Sequence, residues 1–221
     1  MTVVAVDGPV ASGKSTVARA VAAGLGYVYL DTGAMYRAVG LLATEAGMSL
    51  DDEAAVVALA LAAPLRFDGD GRLFIGERDV SAAIRTLDAG SAASLVSVLP
   101  GVRSALVDQQ RVLARDTDIV MEGRDIGTNV FPDAEIKVFL TARPDVRAAR
   151  RATELQARGE EVDATLVLAA LVERDRRDST RVVAPLRRAD DAVEIDSSDM
   201  TLEDVVRAVL TLVGEKVRRR A

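Results

Sequence analysis

Near its start the chain reads Gly8-Pro9-Val10-Ala11-Ser12-Gly13-Lys14-Ser15-Thr16. The first eight of these residues fit the pattern G-x-x-x-x-G-K-[ST]. Glycines let the backbone wrap closely, so that several N–H groups point at one anion. A helix opening directly afterwards adds about half a positive charge at its N-terminus. Lys14 then reaches the β- and γ-phosphates of a nucleoside triphosphate, and the Ser15 hydroxyl suits the magnesium ion that travels with ATP. All nine residues, from Gly8 through Thr16, are therefore candidates for ATP binding. The loop alone does not name the reaction.

Three further clusters carry charge at places where a ligand would be met. The first is Asp31-Thr32-Gly33-Ala34-Met35-Tyr36-Arg37, in which Thr32 is expected to cap a helix and Arg37 to lie one turn in. A guanidinium there suits a phosphate dianion, although a surface helix arginine is the commoner occurrence. The second is Glu122-Gly123-Arg124-Asp125, charges that directly follow an apolar run, as at the crevice of an open parallel sheet. The third is Arg174-Asp175-Arg176-Arg177-Asp178-Ser179-Thr180-Arg181. On a helix Arg174 and Asp178 share a face at i and i+4, and such a pair is worth only ~0.3–0.5 kcal/mol. Four arginines in eight residues exceed that purpose. A phosphoryl-transfer transition state spreads negative charge over equatorial oxygens, and arginines stabilise it.

The composition narrows the chemistry. There is no histidine and no cysteine, so the commonest general base, disulfides and thiolate metal sites are all excluded. An acceptor that is itself a phosphate fits this lack. Its second pKa is near ~6, so it is largely ionised at neutral pH and needs no strong base. The net charge is −6, yet residues 143–188 hold eleven arginines against eight acids. A locally basic stretch in an acidic chain suggests a focused anion site, and argues against a nucleic-acid polymer as partner.

The elements that must position these groups follow from periodicity. Residues 3–6 read as a buried strand and 14–24 as a helix closed by Gly24 and Gly26; 27–30 read as a second strand. A helix from Asp51 to Ala63 stops at Pro64. Leu65-Arg66-Phe67 and Arg72-Leu73-Phe74-Ile75 flank Asp68-Gly69-Asp70-Gly71, followed by Arg78-Asp79-Val80, and these are hairpin signals. Helical patterning returns from Asp88, breaks near Pro100 and resumes over 102–115. The runs 119–121 and 136–140 read as strands covered on both faces. Helices are expected over 144–158 and 164–178, a fifth strand over 193–195, and a capping box at Thr201-Leu202-Glu203-Asp204 opening the last helix. The expected fold class is α/β: a three-layer fold around a five-stranded parallel sheet, with helices on both faces and a small antiparallel insert at about 60–90.

With 221 residues, 49% of them hydrophobic, the chain suits one sizeable domain. It reaches glycine too early for a signal peptide, and the apolar stretch 54–63 is too short to span a bilayer; a soluble, cytoplasmic protein is expected, with no membrane partner. Nothing exposed and apolar demands an oligomer, so a monomer is expected. A GTP-dependent switch would need a guanine-reading Asn-Lys-x-Asp element, and the one asparagine, Asn129, is not followed by lysine. A kinase for UMP, dTMP or shikimate remains the nearest rival.

Together the stretches GPVASGKST, LDTGAMYRA, the segment 94–97 leading to Pro100 and Arg103, EGRDIGTNVFPDA and RDRRDSTRVVAPL resemble bacterial-type cytidylate kinases, a family of P-loop nucleoside monophosphate kinases. The likeness runs from the first strand to the last. It implies transfer of the γ-phosphate of ATP to CMP or dCMP, with magnesium bound with ATP through Ser15. It implies Lys14, Arg124 and Arg181 as catalytic residues and Arg37, Arg124 and Arg181 as clamps on the acceptor phosphate. Ser94, Arg103 and Asp125 are similar to the cytosine readers, and Arg174 and Asp178 to the groups on the pentose; Thr32 and Tyr36 line the same pocket. It also implies a core formed by 1–32 and 116–221, a lid at about 147–160, and an acceptor-binding region at about 33–115 that contains the hairpin insert. Cytosine offers an amine donor where uracil offers an oxygen, so a carboxylate at Asp125 favours CMP over UMP.

Overall fold

The computed structural model describes residues 1–218. The chain divides into two compact bodies, one formed by Met1 and Val28–Ile119 and the other by Thr2–Tyr27 with the chain from Val120 onward.

A parallel sheet of five strands has the order β2-β6-β1-β7-β8, with β1 Val3–Asp7, β2 Val28–Asp31, β6 Ile119–Gly123, β7 Ile136–Thr141 and β8 Val193–Asp196. The two registers Val4↔Ile136 and Val138↔Val193 place β1 and β8 on either side of β7. Every residue of β1 and β6 is buried, as continuous apolar strands covered on both faces require. β8 lies at the edge and buries only Ile195. Within β7 the sequence places Lys137, which is 8% exposed. Its Nζ donates to both carboxylate oxygens of Asp191, at 2.9 and 2.8 Å, and to the Pro132 carbonyl, which lets an ammonium sit in a buried strand.

In the second body, α1 (Lys14–Leu25) follows β1 through the glycine-containing loop, and Gly26 at φ 69° ends it. Gly24, expected to close the helix, lies within it. α6 (Pro144–Gln156) packs on α7 (Ala164–Thr180), and α8 (Leu202–Arg218) packs on α1, burying Val205, Val209 and Val213 at i, i+4 and i+8. At the expected capping box the Thr201 hydroxyl accepts from the Asp204 N–H at 3.2 Å.

In the first body, α2 (Thr32–Glu45) packs on α4 (Leu87–Val96), and α3 (Glu53–Ala62) on α5 (Pro100–Leu113). The insert is an antiparallel sheet of β3 (Leu65–Phe67), β4 (Leu73–Ile75) and β5 (Arg78–Asp79). Leu73, Val80 and Ile84 bury one face of α2 through Ala34 and Ala38. The insert thus fixes the helix that carries Arg37. One local expectation is corrected. The residue capping α2 is Asp31, whose carboxylate accepts from the Ala34 N–H at 3.0 Å, and Thr32 is the first helical residue. The break expected near Pro100 falls between α4 and α5, and α5 opens on Pro100 itself, ahead of the resumption expected at 102, at a position where its missing N–H costs nothing. Among the described residues no single helix is long and apolar enough to cross a membrane.

Candidate active site

The phosphate loop starts where β1 ends. Gly8 has φ 151°, and a Cβ there would stand 2.0 Å from the Leu140 carbonyl oxygen, so the close approach to β7 admits glycine only. Gly13, at φ 92°, turns the chain into α1. Lys14 is the first helical residue and only 5% exposed; its Nζ donates to the Pro9 carbonyl at 2.6 Å and to Ser12 Oγ at 3.4 Å. Burial, with help from the Arg124 charge, lowers its pKa to about 7, while Glu122, Asp7 and Asp178 act the other way. The ammonium is therefore held curled against its own loop in a mixed field of charges.

Two arginines of α6 grip the outside of this loop. Arg147 Nη1 donates to the Val10 carbonyl at 3.1 Å and pairs with Asp175, and Asp175 Oδ1 in turn accepts from the Val10 N–H at 3.2 Å. Both polar groups of the Val10 residue are thus held by one ion pair. Arg150 Nη1 donates to the Ser12 carbonyl at 3.4 Å, and its Nη2 to the Ser197 carbonyl at 2.7 Å. These bonds fix the backbone of Val10 and the carbonyl of Ser12 within the loop. Arg147 and Arg150 belong to the helix expected as a lid, and here they serve the loop's backbone. Sequence reading did not single out Asp175, Arg150 or Ser197. The i, i+3 spacing of Arg147 and Arg150, which puts both on one helical face, was the available signal.

The second body also holds the arginine and carboxylate cluster. Arg124 Nε donates to Asp178 Oδ2 at 2.9 Å. Arg181 Nη2 donates to Asp125 Oδ1 at 3.3 Å, and its Nε to the Ala184 carbonyl at 2.6 Å. Asn129 Nδ2 donates to Asp125 Oδ2 at 2.9 Å, a contact the sequence did not suggest. Asp178 thus bonds an arginine 54 positions away, while Arg174, its expected i, i+4 partner, acts on it through charge. Burial pushes the Asp178 carboxyl up, but Arg124, Arg174 and Arg181 outweigh it and hold it below the usual carboxylate range. The plain surface reading holds for Arg176 and Arg177, which pair with Glu173 at 2.8 and 3.8 Å.

The first body carries the remaining candidates. Arg37 Nη2 donates to Asp31 Oδ2 at 2.7 Å. Burial would raise the Asp31 carboxyl, yet the Arg37 and Arg85 charges and the Ala34 N–H together hold it below its usual value. Arg103 is 2% exposed, lies 5.5 Å over the Tyr36 ring and donates to the Ser97 carbonyl at 3.3 Å. Thr32 and Tyr36 are buried on the same helix as Arg37. Ser94 is 5% exposed, and among the described residues its Oγ has no hydrogen-bond partner. A buried hydroxyl without a partner is costly, and a ligand would satisfy it. Thr32, Tyr36, Arg37, Ser94 and Arg103 thus fall in the first body, and the phosphate loop, Arg124, Asp125, Arg174, Asp178 and Arg181 in the second. Among the described residues no three His, Cys, Asp or Glu side chains cluster as a metal cage.

The family model for cytidylate kinase matches residues 4–215. A cytidylate kinase from Pelotomaculum thermopropionicum is 48% identical over 215 residues, covering 96% of this chain and 95% of that protein. One from Methylococcus capsulatus is 46% identical over 213 residues, covering 96% of each. A solved shikimate kinase from Acinetobacter baumannii, in complex with shikimate, is 14% identical with a TM-score of 0.50, covering 97% of this chain and 94% of that one; this is a likeness of fold alone. With a family match over nearly its whole length and close relatives of the same length, the chain belongs to the cytidylate kinase family.

Proposed function

We propose that this chain moves the γ-phosphate of ATP onto CMP or dCMP, giving ADP and CDP or dCDP. The observation that carries the reading is the buried Lys14 on the phosphate loop, set in one field with Arg124 and Asp178. Residues Gly8 to Thr16 hold the triphosphate, with backbone amides and Lys14 on its oxygens. Arg37, Arg124 and Arg181 hold the acceptor phosphate. Their ion pairs with Asp31, Asp178 and Asp125 keep them oriented until substrate arrives. Asp125, Ser94 and Arg103 read the base, Arg174 and Asp178 hold the pentose, and Thr32 and Tyr36 line the pocket.

The acceptor oxygen attacks as an anion, so the chain supplies position and charge in place of a base. Lys14 and the arginines meet the charge that develops on the transferred group. Magnesium would be held by the Ser15 hydroxyl together with the phosphates, and it would neutralise phosphate charge. A single hydroxyl suits a hard cation that arrives with its nucleotide better than one held in a protein cage. We further read the protein as a cytoplasmic monomer with no nucleic-acid or membrane partner.

A coupled assay across CMP, dCMP, UMP and dTMP tests the reading. CMP is expected to exceed UMP in kcat/KM by roughly ten- to a hundredfold, since a buried carboxylate facing an oxygen loses ~1–3 kcal/mol. Comparable turnover of UMP and CMP would remove Asp125 as the base reader, and preference for dTMP would reassign the acceptor.

Lys14 gives a second test. With its pKa near 7, much of it is neutral at pH 8 in the free protein. Triphosphate oxygens favour the ammonium, so ATP binding at pH 8 should take up most of one proton, and affinity should fall as pH rises above 7. Calorimetry in two buffers of different ionisation enthalpy measures the uptake. Identical heats in both would contradict it.

A further inference from the structure

The turn that follows β6 is anchored from outside itself. Ile126–Val130 forms one wide helical turn, in which the Asn129 and Val130 N–H groups both donate to the Asp125 carbonyl, at 2.9 and 3.2 Å. Its two leading amides, on Ile126 and Gly127, have no carbonyl before them to bond. Both donate instead to the side chain of Asp7, Ile126 to Oδ1 and Gly127 to Oδ2, each at 2.8 Å. Asp7 lies 119 positions earlier, as the last residue of β1, and the next residue is Gly8 of the phosphate loop.

A carboxylate in this place is expensive. Asp7 is 5% exposed, and burial lifts its pKa to about 6 against the pull of the two N–H groups and Lys14, with Asp125 adding to the lift. No smaller polar group does the same work. Two adjacent N–H donors need two acceptor oxygens, and an asparagine would turn an NH2 against one of them. The packing is equally close from the other side, since a Cβ on Gly127 would stand 3.1 Å from Lys137 Cδ and 3.4 Å from Asp7 Oδ2.

We propose that Asp7 is the positioning residue for base choice: by clamping Ile126 and Gly127 it fixes the backbone of Arg124 and Asp125, and so aims Asp125 at the cytosine and Arg124 at the acceptor phosphate. The clamp joins the strand that launches the phosphate loop to the turn that reads the acceptor. It rests on the reading of Asp125 as the base-facing carboxylate.

The test compares Asp7→Asn, Gly127→Ala, Asp125→Asn and the double variant Asp7→Asn/Asp125→Asn. Each is assayed for kcat and KM with CMP and with UMP, and for ATP affinity by direct calorimetric titration. Asp7→Asn is expected to lower kcat/KM for CMP about a hundredfold and the CMP-to-UMP ratio about tenfold, with ATP affinity held within about threefold. In the double variant the ratio should be no lower than in Asp125→Asn alone, because residues acting through one another are not additive. Gly127→Ala, whose added methyl presses on Lys137 Cδ at 3.1 Å beside the clamped amide with Asp7 intact, should move the ratio in the same direction, and it carries the test if Asp7→Asn does not fold. An unchanged ratio in both Asp7→Asn and Gly127→Ala, or ATP affinity falling as far as CMP turnover, would overturn the proposal. If Asp125→Asn itself leaves the ratio unchanged, the base reading fails and the clamp's role in base choice fails with it. If Asp125→Asn collapses the ratio while neither Asp7→Asn nor Gly127→Ala moves it, only the clamp fails.

Discussion

Lys14→Ala should lower kcat by at least about a thousandfold with no loss of fold, because the residue meets charge that develops only during transfer. The size of the effect follows from where the ammonium sits. It is buried, so its field on a nearby phosphate oxygen is screened far less than that of a surface lysine. The chain has no histidine to replace it, and Arg124, the cation whose charge acts on it, is committed to Asp178. The fold should survive, since among the described residues the Lys14 amine bonds within its own loop, at Pro9 and Ser12. Its folded pKa of about 7 lies below the unfolded value of 10.5, so the unfolded chain binds more protons between those limits. In the parent protein stability from this group therefore rises with pH across about 7 to 10, and near or below pH 7 the buried charge costs on the order of a few kcal/mol. Removing the amine relieves that cost. Lys14→Met, which keeps the volume, should melt no lower than the parent at pH 7 while remaining as inactive as Lys14→Ala. Steady-state assays and thermal melts at pH 7 and 9 measure both effects. Substantial turnover in either variant would contradict the role given to this residue.

The contrast between what was legible in the sequence and what was not has a single physical root. The phosphate loop is a contiguous piece of backbone, and its glycines, lysine and hydroxyl report their conformation locally. The same holds for the hairpin insert, whose Asp68-Gly69-Asp70-Gly71 turn sits between Leu65-Arg66-Phe67 and Arg72-Leu73-Phe74-Ile75. Spacing along a helix tells which side chains share a face, but it does not tell what that face meets. Arg174 and Asp178 share a face, yet the hydrogen bond to the Asp178 carboxylate comes from Arg124, 54 positions away, while Arg174 acts on it through charge. Asp175 stood inside the same run and was passed over, since its partners, the Val10 amide and Arg147, are 165 and 28 positions away. Asp7 lies just past the apolar run 3–6, and the two amides it holds are 119 and 120 positions away, beyond the reach of local pattern. At the start of α2 two adjacent residues, Asp31 and Thr32, are both good caps, and local preference did not separate them. The Arg37 guanidinium did, since Asp31 bonds it with one oxygen while capping with the other.

Arg181→Ala should depress kcat about a hundred- to a thousandfold, more than its effect on stability accounts for. Arg181 ends α7, with φ −62° and ψ 143°, and its side chain is 5% exposed. Nε is spent on the Ala184 carbonyl, in the turn that follows the helix, and this bond fixes the plane of the guanidinium. Nη2 reaches Asp125 at 3.3 Å, a length that leaves it ready to shift toward a better acceptor. A phosphate dianion is such an acceptor, and the fork geometry suits it. Truncation to alanine removes that donor and leaves Asp125 without its arginine partner. The stability loss should be modest, about 1–3 kcal/mol, because Asn129 still bonds Asp125 and Arg124 still holds Asp178. Arg181→Lys separates charge from geometry. It keeps a cation near Asp125 but cannot bond Ala184 and an anion in one plane, so it should recover most of the stability and only part of the rate. Melting curves set beside kcat and KM for the three proteins decide the matter. If the alanine variant melts lower but turns over CMP as the parent does, Arg181 serves the turn after α7 and not the transferred phosphate.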